Sequence, residues 1–159
     1  MTLQEELDRG YRVAYRLAYP IMRRWWRLLK RRQGVVVAVW LDETVLAVRH
    51  SYKPGLRLVS GGVERREDPR LTAARELREE VGITIDRDAL RLVGAVPTAL
   101  GLIHIYEARV TEKPELVVDR REIVDACFVH PGVLYEMRHQ NGIGEYVRRH
   151  AGSATRDQS

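Results

Sequence analysis

The stretch GGVERREDPRLTAARELREEVGI, residues 61–83, carries the strongest structural signals in this chain. Asp68 is a preferred N-cap residue, Pro69 suits the first position of a helix, and Gly82 suits the position just past a helix end. These signals predict a helix that begins at Pro69 and ends before Gly82. At about 100° of turn per residue, its apolar residues share one face that is predicted to pack on the core: Ala73, Ala74, Leu77 and Val81.

Acidic side chains are crowded beside that apolar face. Glu76 and Glu80 lie one turn apart on one flank of it, with Glu79 a little further round. Arg75 and Arg78 fall on the other side. Like charges one turn apart repel by roughly a few tenths of a kcal/mol, and a solvated helix face more comfortably alternates its signs. Carboxylates beside a buried stripe become favourable when a hard cation such as Mg²⁺ or Mn²⁺ lies among them.

The spacing decides between a solvated charge run and a metal site. Residues 61–83 follow the pattern G-x5-E-x7-R-E-L-x-E-E-x-G-I, which arises by chance in about one of ten million chains of this length. The defining positions are Gly61, Glu67, Arg75, Glu76, Leu77, Glu79, Glu80, Gly82 and Ile83. A match at every position indicates a functional site.

This pattern is the signature of the Nudix hydrolases, and the chain resembles that family from Gly34 to about Arg149. The resemblance implies an α/β/α sandwich with a mixed sheet. It also implies hydrolysis of a nucleoside diphosphate linked to another moiety, with Mg²⁺ or Mn²⁺ as cofactor. A pyrophosphate is anionic and repels a nucleophile, so such a cation is needed to neutralise it and to lower the pKa of the attacking water.

The resemblance also implies roles for individual residues. The metal ligands are Glu76, Glu79 and Glu80, with a backbone carbonyl of Gly61 or Ser60. Glu67 supports the site, and Arg75 orients the glutamates through a salt bridge. The family often recruits a further acid as ligand or general base, and Glu122 and Asp125 are the best placed, ahead of Glu107 and Glu115.

Substrate contacts are expected from the loop and strand before residues 61–83, the segment called the Nudix box in this family. Tyr52, Lys53 and Arg57 are candidates to hold a base or phosphates, or else they line the surface. Pro97 lies fourteen residues beyond Ile83, close to the place of a proline in some ADP-ribose-cleaving relatives. Family members often show W-x-L-P-G-G-G at the entry to this segment and a glycine before its first glutamate. This chain departs from the entry pattern at Leu56, Val59 and Ser60, and it has Arg66 before Glu67.

Length and composition describe a single globular domain. The chain has 159 residues, of which 45% are hydrophobic and 31% charged. This is enough to bury a core without disulfides or structural metals. Cys127 is the only cysteine, which excludes a disulfide framework and a cysteine zinc site. The sequence lacks the roughly 18 consecutive apolar residues of a membrane span, and its acidic start does not resemble a secretory signal. We therefore expect a cytoplasmic protein.

The order of predicted elements favours an α/β fold with a mixed sheet covered by helices, preceded by an amphipathic helical extension. Strands are predicted at 34–40, 45–50, 56–60, 90–99, 102–110 and 122–129, and terminal helices at 131–140 and 144–150. We divide the chain into a basic N-terminal helical extension (1–33), a hydrolase domain (34–150) and a flexible tail (151–159).

The basic character of the chain belongs to the extension. Residues 1–33 contain nine Arg and Lys against three acidic residues, whereas the remaining 18 basic and 19 acidic residues nearly balance. Three roles remain open: packing on the domain or pairing in a homodimer, lying on an anionic membrane surface, and binding nucleic acid. Residues 9–32 would make the contacts with a membrane surface or with nucleic acid.

Two functions follow from the sequence. The first is metal-dependent hydrolysis of a pyrophosphate bond in a nucleoside diphosphate derivative, with an ADP-ribose or nucleotide-sugar-like substrate preferred. The alternative is a non-catalytic module that binds or senses a small nucleotide, associated with a membrane surface or nucleic acid through the basic helix. The intact glutamates favour the enzyme, since a binding module tolerates their loss.

Overall fold

The computed structural model describes residues 5, 7–14, 17–18, 32–98, 101–118, 120–134 and 141–153. The strands are β1 (Arg32–Leu41), β2 (Thr44–His50), β3 (Leu56–Arg57), β4 (Val59–Gly62), β5 (Arg91–Thr98), β6 (Gly101–Val110) and β7 (Ile123–Val129). The helices are α1, which includes residues 7–14, α2 (Pro69–Val81) and α3 (Asn141–Ser153). Short 3-10 turns cover Arg87–Ala89 and Pro131–Val133.

One mixed sheet organises these strands. Its main order is β3-β2-β1-β6-β5, with β4 paired to β1 and β7 paired to β2. β1 runs parallel to β6 along its whole length, and its other edge is shared by β4 and β2. β4 takes the first half of that edge, where Gly61 lies opposite Val35. The two glycines of β4 are thereby held against the central strand.

β1 is buried on both faces because a helix covers each of them. Its odd-numbered valines pack in a cluster with α2, and its even-numbered residues pack in a second cluster with α3. This double burial explains the continuous apolar run VVVAVW (35–40), which lacks the polar alternation of a half-exposed strand. The arrangement of helix, mixed sheet and helix confirms the predicted α/β fold.

α2 begins and ends where its sequence predicts. The Asp68 carboxylate accepts a hydrogen bond from the Arg70 N–H at 2.8 Å, and Pro69 opens the helix. Gly82 ends it with a φ of 74° and donates its N–H to the Arg78 carbonyl. Ala73, Leu77 and Val81 are fully buried, and Ala74 is partly buried against the same cluster. The predicted core face is therefore the observed one.

Two predicted elements differ from the structure. The strand predicted at 56–60 divides at Leu58, because β3 pairs with β2 whereas β4 pairs with β1. The helix predicted at 131–140 is a 3-10 turn over Pro131–Val133, where His130 caps the turn by accepting from the Gly132 N–H. The remainder of that predicted helix, 135–140, lies outside the described residues.

Two elements near the chain ends extend past the bounds predicted for them. β1 begins at Arg32, inside the predicted extension, and α3 runs from Asn141 through Ser153, into the predicted tail. Residues 5, 7–14 and 17–18 of the extension are helical, as predicted, whereas Pro20 and the arginine- and tryptophan-rich segment 23–31 lie outside the described residues. No helix in the described part of the chain is long and apolar enough to cross a membrane.

Two leucines of α2 provide a test of its packing. Leu77 is fully buried, whereas Leu71 is 42% exposed. We expect Leu77→Ala to lower the free energy of unfolding by about 2–5 kcal/mol, the range for a buried leucine that leaves a cavity. Leu71→Ala on the same helix is the control and should cost less than about 1 kcal/mol. Urea unfolding measures both, and equal losses would show that Leu77 is packed no more tightly than Leu71.

Candidate metal centre

Glu76 lies directly on Gly61, at the point where α2 crosses β4. The Glu76 carboxylate is so close to the Gly61 α-carbon that a β-carbon at this position would overlap it. Gly62 shows no such contact, since nothing lies within 4 Å of the place its β-carbon would take. The close approach therefore requires a glycine at position 61 specifically, and it sets the position of the Glu76 side chain.

Arg75 gathers three glutamates around its guanidinium group. Its Nε lies 3.2 Å from Glu67 Oε1, and its Nη1 lies 2.9 Å from Glu76 Oε1 and 3.1 Å from Glu79 Oε2. Its Nη2 also donates to the Gly62 carbonyl at 3.3 Å. The sequence-based placement of Arg75 on the other side of the helix is wrong, because residues 75 and 79 are one turn apart on the same face.

Glu67 ties the loop between β4 and α2 to this group. Its Oε2 accepts a hydrogen bond from the Glu64 N–H at 3.0 Å, while Arg75 contacts both carboxylate oxygens. The hydrogen bond from Arg75 holds the pKa of Glu67 below its ordinary value, and the same bond raises the pKa of Arg75. Glu67 therefore stays ionised at neutral pH and anchors Arg75.

Glu80 is the most buried carboxylate of the helix. The residue is 8% exposed, and its Oε2 has no hydrogen-bond partner among the described residues. Burial raises its pKa to about 9, with further contributions from the charges of Glu76 and Glu122, although a hydrogen bond from the Ser60 backbone opposes the shift. A buried carboxylate oxygen without a partner is costly unless a cation compensates it.

Glu76 shares this environment. Burial raises its pKa to about 7, and the charges of Glu79 and Glu122 add to the shift, while the neighbouring Arg75 opposes it. Two adjacent carboxylates thus resist ionisation for the same reasons, namely desolvation and mutual repulsion. The site favours a bound positive charge beyond the one that Arg75 supplies.

Glu122 joins the site from the loop before β7. Its charge acts on both Glu76 and Glu80, which places it within electrostatic range of the helix carboxylates. The Tyr52 hydroxyl lies 2.5 Å from its Oε1, and its backbone carbonyl accepts from the Ser51 N–H at 2.9 Å. Glu122 and Asp125 are the acids outside the box with a predicted role as ligand or base. Of the two, Glu122 is the one that lies within electrostatic range of Glu76 and Glu80.

Asp125 lies on the other face of the sheet. It pairs with Arg49 at 2.8 Å in an exposed ion pair, directly across β7 and β2. Successive strand residues point to opposite faces, and the neighbouring Ala126 packs towards α2. Asp125 therefore points away from the glutamates, and its prediction as a ligand or base has no geometric support.

Glu107 also lies on the α3 face, in a buried hydrogen-bonded chain. The Trp40 indole N–H donates to the Tyr146 hydroxyl at 2.9 Å, which donates to Glu107 Oε2 at 2.9 Å. Arg91 pairs with the other carboxylate oxygen. Glu107, Tyr146 and Arg91 line a cavity of about 370 Å³ between β5, β6 and α3. That cavity is separated from the glutamates by the sheet.

The residues predicted to contact substrate lie around His50, which no motif in the sequence marks as a site residue. His50 is 5% exposed, and neither of its ring nitrogens has a hydrogen-bond partner among the described residues. Burial, together with the charges of Lys53 and Arg57, lowers its pKa to about 4. Its ring lies 5.3 Å from that of Tyr52, over which Lys53 Nζ lies at 5.2 Å. The run VLAVRH carries no pattern that singles this histidine out, since it follows the apolar residues of β2 and the strand register shifts beside it.

The donor set fits a hard divalent cation. Carboxylate oxygens are the ligands that Mg²⁺ prefers, Glu80 Oε2 is buried without a partner, and Gly61 leaves space for Glu76. Among the described residues, no three acidic, histidine or cysteine side chains lie together in an arrangement that would by itself hold a metal ion. Mg²⁺ usually keeps several waters and binds through one or two carboxylates plus substrate phosphates, so an open set of donors suits it.

Comparison with known proteins agrees with the fold. A family model described as NUDIX domain matches residues 30–149. A hydrolase of the NUDIX family from Clostridium perfringens is 16% identical, with a TM-score of 0.59 over 82% of this chain and 99% of that one. No curated protein sequence matches the chain.

Two further solved structures share the fold. An Ap4A hydrolase from C. elegans is 18% identical, with a TM-score of 0.59 over 79% of this chain and 98% of that one. A bifunctional NMN adenylyltransferase/ADP ribose pyrophosphatase from Francisella tularensis, complexed with AMP and a Mn ion, is 18% identical, with a TM-score of 0.61 over 91% of this chain and 48% of that one.

The contact between Gly61 and Glu76 predicts a difference between two neighbouring glycines. In Gly61→Ala the new β-carbon displaces the Glu76 carboxylate, so we expect Mn²⁺ affinity to fall about 10–100-fold, as for loss of a residue that orients a ligand. Gly62→Ala meets open space and is the matched control. Titration with Mn²⁺ followed by electron paramagnetic resonance measures both. Equal affinities in the two variants would show that Glu76 does not depend on Gly61.

Burial of Glu80 predicts a stability that falls with pH in metal-free protein. Between about pH 7 and pH 9 the folded chain keeps a proton on Glu80 that the unfolded chain has released, since its ordinary pKa is 4.5. Stability should therefore decrease as pH rises through this window, by up to about 1.4 kcal/mol per pH unit. Below about pH 7, the raised pKa of Glu76 also makes stability decrease as pH rises. His50, whose pKa is lowered to about 4, makes stability increase with pH instead.

Urea unfolding in EDTA from pH 7 to pH 9 measures this slope. Glu80→Gln carries no ionisable group at position 80, so its slope should be much flatter than that of the parent. Added Mg²⁺ should reduce the parent's slope as well, because the cation stabilises the ionised carboxylate. A variant that keeps the parent's slope would assign the pH dependence to another group.

Proposed function

We propose that this chain, which belongs to the Nudix hydrolase family, hydrolyses a pyrophosphate bond in a nucleoside diphosphate linked to another moiety, in a reaction that depends on Mg²⁺ or Mn²⁺. The observation that carries this proposal is the buried, unpartnered oxygen of Glu80 beside Glu76 and Glu122. Such an arrangement is unfavourable for an isolated protein and favourable for one that binds a cation together with an anionic substrate.

Glu76, Glu79 and Glu80 are the residues that would hold the cation, with the carbonyl of Gly61 or Ser60 and with Glu122 beside them. Bound there, the cation would neutralise the phosphates and lower the pKa of the attacking water. Glu79 is 53% exposed and pairs with Arg75, so it can turn towards a ligand at little cost. Glu80 and Glu76 are already buried in place.

The chain's own residues supply orientation and a proton acceptor. Water attacks phosphorus, the bridging P–O bond breaks, and the released phosphate leaves with the bonding electron pair. We assign Glu122 as the acceptor of the water's proton, because Tyr52 and Ser51 hold it and its charge reaches Glu76 and Glu80. Arg75 and Glu67 keep the helix carboxylates aligned. Phosphoryl transfer needs little more than such positioning and charge stabilisation.

An ADP-ribose or nucleotide-sugar-like substrate remains the preferred class. Pro97, predicted from its spacing to the box, lies on β5 opposite Leu102. Lys53 and Arg57 contribute positive charge near His50, which suits phosphate groups. Tyr52 is engaged with Glu122, so its role shifts from substrate contact to support of the acid. Two structures with this fold are named for ADP-ribose and Ap4A hydrolysis, and both classes belong in a test.

Other expectations stay predictions. The cytoplasmic location, the homodimer, and the contacts of residues 9–32 with membranes or nucleic acid are in this group, as is the division of the chain at residues 33 and 150. Most of the basic segment lies outside the described residues.

A nucleotide panel with matched variants tests the proposed reaction. ADP-ribose, a UDP-sugar, Ap4A and dGTP are incubated with Mg²⁺ or Mn²⁺, and product release is followed by chromatography. We expect turnover by the parent, and a loss of about 100- to 1,000-fold in Glu80→Gln, as for removal of one preorganised charge. Asp125→Asn removes a carboxylate on the other face and should keep the parent's rate. EDTA should abolish activity.

Two outcomes would contradict the proposal. Turnover by Glu80→Gln at the parent's rate would show that the reaction does not use this site. Absence of turnover in both proteins, with equal binding of nucleotide, would favour the non-catalytic binding module instead.

A further inference from the structure

The N-terminal helix α1 contacts the two residues that precede Glu122. Arg12 Nη1 donates to the Arg120 carbonyl at 3.1 Å, and Asp8 Oδ1 lies 3.3 Å from Arg121 Nε. The Arg121 guanidinium carbon also lies 4.8 Å from the centre of the Tyr11 ring. Positions 8, 11 and 12 are separated by three and four residues and therefore share one face of a helix.

These contacts hold a backbone conformation that needs support. Arg120 has a φ of 60°, in the left-handed region that a side chain with a β-carbon disfavours. The hydrogen bond from Arg12 fixes the carbonyl of this residue. The Asp8 side chain is only 13% exposed, so its ion pair with Arg121 is less screened by solvent than a surface pair. Strained backbone persists only where its surroundings determine it.

Glu122 is thereby fixed from two directions. On one side, Ser51 and Tyr52 bind its carbonyl and its carboxylate. On the other, α1 holds Arg120 and Arg121 immediately before it. The residues of α1 that make these contacts lie before the NUDIX domain match, which begins at residue 30. An element outside the match thus contacts the loop that carries an acid of the candidate site.

We propose that Asp8 and Arg12 are positioning residues for Glu122, and that α1 is required to keep this carboxylate facing Glu76 and Glu80. The proposal rests on the proposed function in assigning Glu122 to the site. It predicts that the extension contributes to cation binding and to turnover, because loss of its contacts frees the loop before β7. A purely structural role predicts a change in stability alone.

The test uses the full chain with Asp8→Asn and Arg12→Gln. We expect kcat to fall about tenfold and the Mn²⁺ dissociation constant to rise about tenfold, as for loss of residues that orient a ligand, with KM nearly unchanged. The nucleotide is the one that the parent hydrolyses fastest, and Mn²⁺ binding is followed by electron paramagnetic resonance. Arg9→Gln is the matched control, since Arg9 is an exposed arginine on the same helix.

Conservative and reciprocal variants separate positioning from folding. Arg12→Lys can still donate to the Arg120 carbonyl and should recover part of the loss. Asp8→Arg combined with Arg121→Asp restores an ion pair of opposite sense and should outperform either single change. A lower unfolding temperature with unchanged kcat and Mn²⁺ affinity would overturn the proposal, as would equal effects of Arg12→Gln and Arg9→Gln. If the parent hydrolyses no nucleotide, the proposed function fails, and Mn²⁺ affinity alone still decides the role of Arg12.

Discussion

The contact between the Glu76 carboxylate and the Gly61 α-carbon is the constraint on which the site depends. It requires a strand that presents bare backbone and a helix that crosses it without an intervening side chain. β4 can present that backbone because it is hydrogen-bonded to the first half of β1. β1 in turn holds its place because α2 and α3 bury both of its faces. The position of one carboxylate thus follows from the packing of the whole sandwich.

Charge repulsion gives this geometry its chemical meaning. Desolvation raises the pKa values of Glu76 and Glu80, and the proximity of the carboxylates adds to the shift. Arg75 offsets only part of this repulsion, because it is also engaged by Glu67 and Glu79. The fold therefore holds carboxylates whose ionisation is unfavourable and that a bound cation would stabilise. Binding of such a cation would be linked to the stability of the domain.

The sequence predicts those parts of the structure that depend on local chemistry. The caps of α2 and its buried face follow from Asp68, Pro69, Gly82 and the spacing of its apolar residues. The burial of residues 35–40 on both faces agrees with their uninterrupted apolar character. Partners that are far apart in the chain are not predicted, because their register depends on tertiary pairing. Tyr52 with Glu122 is one such pair.

The choice between Glu122 and Asp125 shows why residue spacing alone could not settle the site. Glu122 lies just before β7 and Asp125 lies within it, and the face that each side chain takes depends on how β7 pairs with β2. The register shifts between Arg49 and His50, so the alternation that holds along the strand does not extend through the bulge. Asp125 then falls opposite Arg49, away from α2. Glu122 precedes the strand, so the conformation of the loop, and not the pleat of β7, directs its side chain. Contacts from Tyr52 on one side and from α1 on the other define that loop. Glu76 and Glu80 are instead placed by α2, whose buried face packs on the sheet.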